Sequence, residues 1–111
     1  MILSFFDNNK RNFGFAFESA IEKAEEKFRE AQNEIYNEGE YANCETDKDL
    51  DSLLRDKAER VTAEFEEVLR EEKELNEDIT EQLKFTDTLQ EKVKDALEDS
   101  VPSEFKMSVG F

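Results

Sequence analysis

The stretch from Leu54 to Ala96, LRDKAERVTAEFEEVLREEKELNEDITEQLKFTDTLQEKVKDA, contains no Gly and no Pro. Reading heptad d and a positions alternately gives Leu54, Ala58, Val61, Phe65, Val68, Glu72, Leu75, Ile79, Gln82, Thr86, Leu89, Val93 and Ala96. Steps of four and three residues hold one stripe of a helix toward a partner helix, and here they persist for about six heptads. An all-α fold follows. Leu69, Leu83 and Leu97 recur at position e. They widen the stripe beyond a two-stranded seam, toward a bundle of three or four helices. Glu72, Gln82 and Thr86 are polar at core positions, where such residues either set register and oligomer state or mark a loosening of the seam.

Upstream, Phe17, Ile21, Ala24, Phe28, Ala31 and Ile35 are spaced 4-3-4-3-4, which predicts a first helix over 15–38 that Gly39 stops. The segment 39–45 reads as a loop. Thr46 or Asp47 is the N-cap of the next helix, and Asp47, Asp49 and Asp51 suit the positive end of its dipole. Downstream, no stop signal occurs before Pro102, which disfavours helical geometry at Val101. A helix over 48–100 would be roughly 80 Å long, against roughly 36 Å for the first.

The unbroken register favours one long helix over 47–100, folded antiparallel on the first as a helical hairpin. A break near Asn76 or Asp87 would give a three-helix bundle instead. In the hairpin, the second half of the long helix lacks cover from its own chain. Leu75, Ile79, Leu83, Leu89, Val93 and Leu97 are therefore candidate interface residues toward a second copy or a larger assembly.

Two apolar arms flank the helical unit, dividing the chain into 1–14, 15–100 and 101–111. In the first, Ile2, Leu3, Phe5 and Phe6 precede the polar turn Asp7-Asn8-Asn9-Lys10. Beyond it, Phe13, Phe15 and Phe17 suggest a short extended segment or the entry to a helix. In the last arm, Phe105, Met107, Val109 and Phe111 alternate with Lys106, Ser108 and Gly110, a period-two pattern that predicts a strand adding to another edge. Phe5, Phe6, Phe105, Met107, Val109 and Phe111 complete the candidate interface.

Charged residues make up 41% of the 111 and apolar ones 37%, with a net charge of −15. Such a balance suits a single elongated helical domain with much solvated surface. Residues 1–17 carry +1, 18–46 carry −6, 47–100 carry −10 and 101–111 are neutral. Like charge disfavours direct contact with nucleic acid or anionic membrane and leaves basic proteins as partners. Cys44 is the only cysteine, so no intrachain disulfide forms. Its acidic neighbours should keep the thiol pKa high and the group inert. No apolar run reaches the ~20 residues of a membrane span, and MILSFF lacks the features of a signal segment. A cytoplasmic or virion-associated protein is expected.

No residue set carries recognisable chemistry. Asp47-x-Asp49-x-Asp51 opens like a calcium-binding EF-hand loop, but Ser52 replaces the required Gly and Ala58 the bidentate Glu. The chain has no His, which removes the Glu-x-x-His pair of bundle metal sites. Three isolated glycines form no phosphate loop. No catalytic, cofactor or metal residues are assigned, and a non-enzymatic protein is expected.

Glu64–Glu81 holds nine acids against Arg70 and Lys73, a run that could imitate a nucleic-acid backbone. Ten net charges along roughly 80 Å of helix give one per ~8 Å, and a dimer about one per ~4 Å. Duplex DNA carries one per ~1.7 Å. Bases at helix-stabilising spacing (Glu25→Arg29, Asp56→Arg60, Glu66→Arg70) also suit a solvated flank. The first functional expectation is a structural or assembly component, a scaffold or adaptor whose rod spaces two apolar docking ends. The second is a small acidic inhibitor that blocks a basic cleft. Small acidic helical proteins with apolar arms are common among virus-encoded assembly and inhibitor proteins, a likeness of class alone.

Overall fold

A computed structural model of the chain describes residues 2–9, 15–72 and 80–111. Five α-helices follow in order: α1 (Ile2–Asn9), α2 (Phe15–Tyr36), α3 (Asp47–Glu72), α4 (Thr80–Asp99) and α5 (Ser103–Ser108), with a 3₁₀ turn over Glu40–Asn43 before α3. No strand occurs among the described residues.

Helix α2 carries its predicted stripe inward: Phe17, Ile21, Ala24, Phe28, Ala31 and Ile35 are all buried. It ends at Tyr36, just ahead of Gly39, which takes φ 75°, the left-handed region that a side chain resists, and leads into the 3₁₀ turn. Helix α3 starts with a capping box. The Asp49 N–H donates to Thr46 Oγ1 (3.2 Å), while the Thr46 and Glu45 N–H groups donate to Asp49 Oδ2 at 3.2 and 3.1 Å. Asp49 thereby satisfies backbone donors that the helix itself leaves open.

The long helix of the hairpin is replaced by α3 and α4, which pack on each other antiparallel. Phe65 late in α3 meets Phe85 early in α4 (5.8 Å between ring centroids), and Asp51 early in α3 meets Lys94 late in α4. The three-helix bundle is therefore the arrangement observed. Its long axis is 49 Å, too short for a helix of roughly 80 Å. Asp87 lies inside α4, so no break occurs there. Asn76 falls in 73–79, outside the described residues. Folding back buries Leu89, Val93 and Leu97 completely, at about 1.5–3 kcal/mol each. A reversal forfeits only a few backbone bonds, each with a net worth of about 1 kcal/mol.

Burial also drifts off the strict heptad. Leu69 and Leu97 are fully buried, while Val68 and Ala96 are only half-buried. A straight helix with 3.6 residues per turn slips by ~20° per heptad, which moves the inward position from 68 to 69 and from 96 to 97. Leu69 and Leu97 thus belong to the core, as the widening of the stripe at position e implied.

Candidate interaction surface

Both arms are helical and folded onto the bundle. In α1, Phe6 is fully buried with its ring 6.2 Å from Phe28, and Phe5 stacks on Phe85 at 5.3 Å. Phe17 meets Phe65 and Phe85 edge-on at 5.5 and 5.2 Å. These six rings form one connected cluster that starts where α2 and α4 begin and reaches the middle of α2 at Phe28.

The predicted C-terminal strand is a helix, α5. Pro102 sits at its N-cap, and Gly110 (φ 77°) ends it in a Schellman motif. There the Phe111 N–H donates to the Lys106 carbonyl (2.8 Å) and the Gly110 N–H to that of Met107 (3.2 Å). The residues turned inward are Val101, Phe105 and Val109, spaced by four, as a helix requires. Period two was coincidental there: Met107 and Phe111 point to solvent. The Pro102–Gly110 bracket was the overlooked signal.

The candidate interface residues divide accordingly. Leu89, Val93, Leu97 and Phe6 are consumed by the chain's own core, and Phe5 is half-buried against it. Leu75 and Ile79 lie outside the described residues, as does the side chain of Leu83. Phe105 and Val109 are half-buried, leaving Met107 and Phe111 as the members that remain open.

Among the described residues, the exposed large apolar side chains are Tyr36 (54%), Met107 (80%) and Phe111 (39%). The rings of Tyr36 and Tyr41 stack at 6.5 Å, and Tyr41 meets Phe105 edge-on at 5.0 Å. Tyr36 and α5 thus share one end of the bundle, the end opposite the phenylalanine cluster. Sequence reasoning missed Tyr36 and Tyr41 because one falls on the outer face of α2 and the other in the turn.

Charge surrounds this end. Residues 36–49 hold five acids and one base, and 99–111 hold two acids and one base. A polar concavity of about 620 Å³, lined in part by Tyr36, Asn33, Asn37 and Asp99, adjoins it. Cys44 is half-buried nearby. Burial first, then the charge of Asp49, holds its thiol above the ordinary pKa, which suits an inert group.

Ion pairs fasten the helices to one another. Lys57 on α3 is buried between Glu34 of α2 (2.7 Å) and Glu40 of the turn (2.9 Å). Burial alone would lower its pKa. The hydrogen bonds that its ammonium donates to both carboxylates, with their charges, outweigh that and raise it. Asp51 binds Lys94 (2.7 Å) and Arg55 (3.0 Å). The Lys94 hydrogen bond, aided by both positive charges, holds the Asp51 carboxyl below its ordinary value. The groove of about 460 Å³ between α2 and α3 is lined by Lys27, Glu30, Glu34, Lys57, Arg60, Glu64 and Glu67 among others. Within it Lys27 pairs with Glu30 at 3.3 Å. No group of three or more metal-ligating side chains occurs among the described residues, and no described helix is long and apolar enough to cross a membrane.

Comparison with protein-family models, with curated proteins and with solved structures finds no match to this chain.

Proposed function

We propose that this is a non-enzymatic, acidic protein-binding protein that occupies the basic, nucleic-acid-binding surface of a target. One observation carries the reading: a charge of −15 sits on a body only 49 × 22 × 20 Å across, with Leu89, Val93 and Leu97 taken into its own core. Along the long axis that is about one net charge per ~3 Å, against one per ~1.7 Å for duplex DNA. The extended hairpin would spread the same fifteen charges over roughly 80 Å, one per ~5 Å. Compaction therefore moves the protein toward the charge density of a nucleic acid, and it removes the rod on which a spacing scaffold depends.

The test is displacement of a labelled DNA duplex from a panel of purified DNA-binding proteins. At least one member should release DNA, with competition weakening roughly tenfold or more between 50 and 200 mM salt. Glu66→Lys, Glu67→Lys and Glu71→Lys together should abolish it. No displacement across the panel, or displacement indifferent to the reversal, would overturn the reading.

A second reading, an assembly adaptor, is favoured by the exposed apolar residues at one end. It requires binding that survives high salt and the α3 reversal.

A further inference from the structure

We infer that the end formed by Tyr36, Tyr41 and α5 is an apolar anchor, which inserts Met107, Phe111 and Tyr36 into a pocket rimmed by Lys and Arg on a partner protein. The inference rests on the proposed binding to basic proteins and adds where the contact is anchored.

Three observations lead to it. The exposed large apolar side chains of the described residues gather at this one end, although its chemical counterpart at the other end is sealed. Half-buried aromatic neighbours, Tyr41 stacked with Tyr36 and edge-on to Phe105, form the base of the patch. An anchor so supported loses little side-chain freedom on binding, which is what lets a few residues dominate an interface. The third observation is the acidic setting described above, with Glu104 on α5 itself; the adjoining concavity holds both Arg29 and Asp99 and adds no net charge.

A second copy is a poor occupant. Three exposed side chains of about 200 Å² each offer on the order of 300 Å², well short of the ~800 Å² per partner of a stable interface. The rim would also face its own negative charge. Apolar anchor and acidic rim together select an amphipathic, basic surface, with charge setting the rate of encounter and the anchor setting residence.

The probes are three synthetic peptides: a helical Lys/Leu 14-mer, a polylysine of equal charge and an uncharged Leu/Ser helix. The chain has no Trp and only two Tyr, so tyrosine fluorescence, carried wholly by Tyr36 and Tyr41, reports binding at this end. The Lys/Leu peptide should bind most tightly. Met107→Ser with Phe111→Ser should weaken it roughly tenfold while leaving polylysine binding and the salt dependence unchanged. Circular dichroism should show the same helix content in the double variant, since both side chains face water.

The anchor is overturned if the double variant binds the Lys/Leu peptide as the wild type does, or if the Leu/Ser peptide binds equally well. It is also overturned if sedimentation shows a dimer that the double variant dissolves, because a second copy is then the occupant. Reversal of Glu66, Glu67 and Glu71 separates the two claims. If it leaves DNA displacement intact while the double variant still loses the Lys/Leu peptide, the broader reading fails and the anchor stands.

Discussion

The two ends of the bundle are built from similar residues and come out opposite. At one, Phe5, Phe6, Phe17, Phe28, Phe65 and Phe85 come together, with Phe6, Phe17 and Phe65 wholly inside. At the other, Tyr36, Tyr41 and Phe105 form a shorter chain of rings, and Met107 and Phe111 are left in water. The difference lies in the arms. Helix α1 lays Phe5 on Phe85 near the start of α4 and Phe6 on Phe28 in the middle of α2, where Phe6 is fully covered. Helix α5 has six residues, and a helix that short turns one narrow edge inward, here Phe105 and its neighbours Val101 and Val109. An arm that seals has spent its apolar surface on stability. An arm that covers only in part keeps some for contact.

The strongest way to break this comparison is to delete side chains from each end and measure urea denaturation. Phe65→Ala removes a fully buried ring that meets both Phe17 and Phe85, and should cost about 3–5 kcal/mol. Met107→Ala should stay within about 0.5 kcal/mol. Equal costs would mean that the two ends are energetically alike.

A smaller effect tests the fastening between the ends. Glu34→Gln with Glu40→Gln strands the Lys57 ammonium at a buried site and should cost about 3 kcal/mol. Lys57→Met should cost less than about 1 kcal/mol, because both carboxylates are about one-third exposed and can rehydrate. The pH dependence follows from the sign of the shift. The Lys57 pKa is raised in the fold, so its contribution is complete below the unfolded lysine value of about 10.4. It disappears as pH rises through the folded value, and Lys57→Met should lack that alkaline loss.

The smallest effect concerns a flaw near the sealed end. Thr86 Oγ1 is buried without a hydrogen-bond partner, and Thr86 follows Phe85 in α4. Thr86→Val keeps the shape and removes the orphaned hydroxyl, so thermal unfolding should show a gain of about 1 kcal/mol. A loss would mean that the hydroxyl has a partner in solution, and that the polar core position helps to set the packing.

Much of this was legible in the sequence. The inward stripe of α2, the stop at Gly39, the start of α3 at Asp47 and the inward face of α3 all follow from local rules. Spacing names the face, and Gly or Thr-x-x-Asp names the ends. The e-position leucines also signalled a third helix. The candidate site was less legible. Met107 and Phe111 were singled out with a strand in mind, because apolar residues two apart satisfy a strand and residues four apart a helix, and Phe105–Phe111 contains both spacings. Only the Pro102 and Gly110 brackets separated them.

What the sequence determined by itself was the set of helices and which side of each is apolar, because the 3.6-residue period and the caps act over a few residues. What the tertiary structure decided was direction. The heptad spacing of the sequence runs on through Leu75 and Ile79 without interruption, so the register reads the same whether the chain runs straight or turns back. A repeat records which face is apolar and says nothing of what will cover it. That choice fell to burial, which brought Leu89, Val93 and Leu97 inside the chain's own core, and to the short reach of α5, which left Met107 and Phe111 outside.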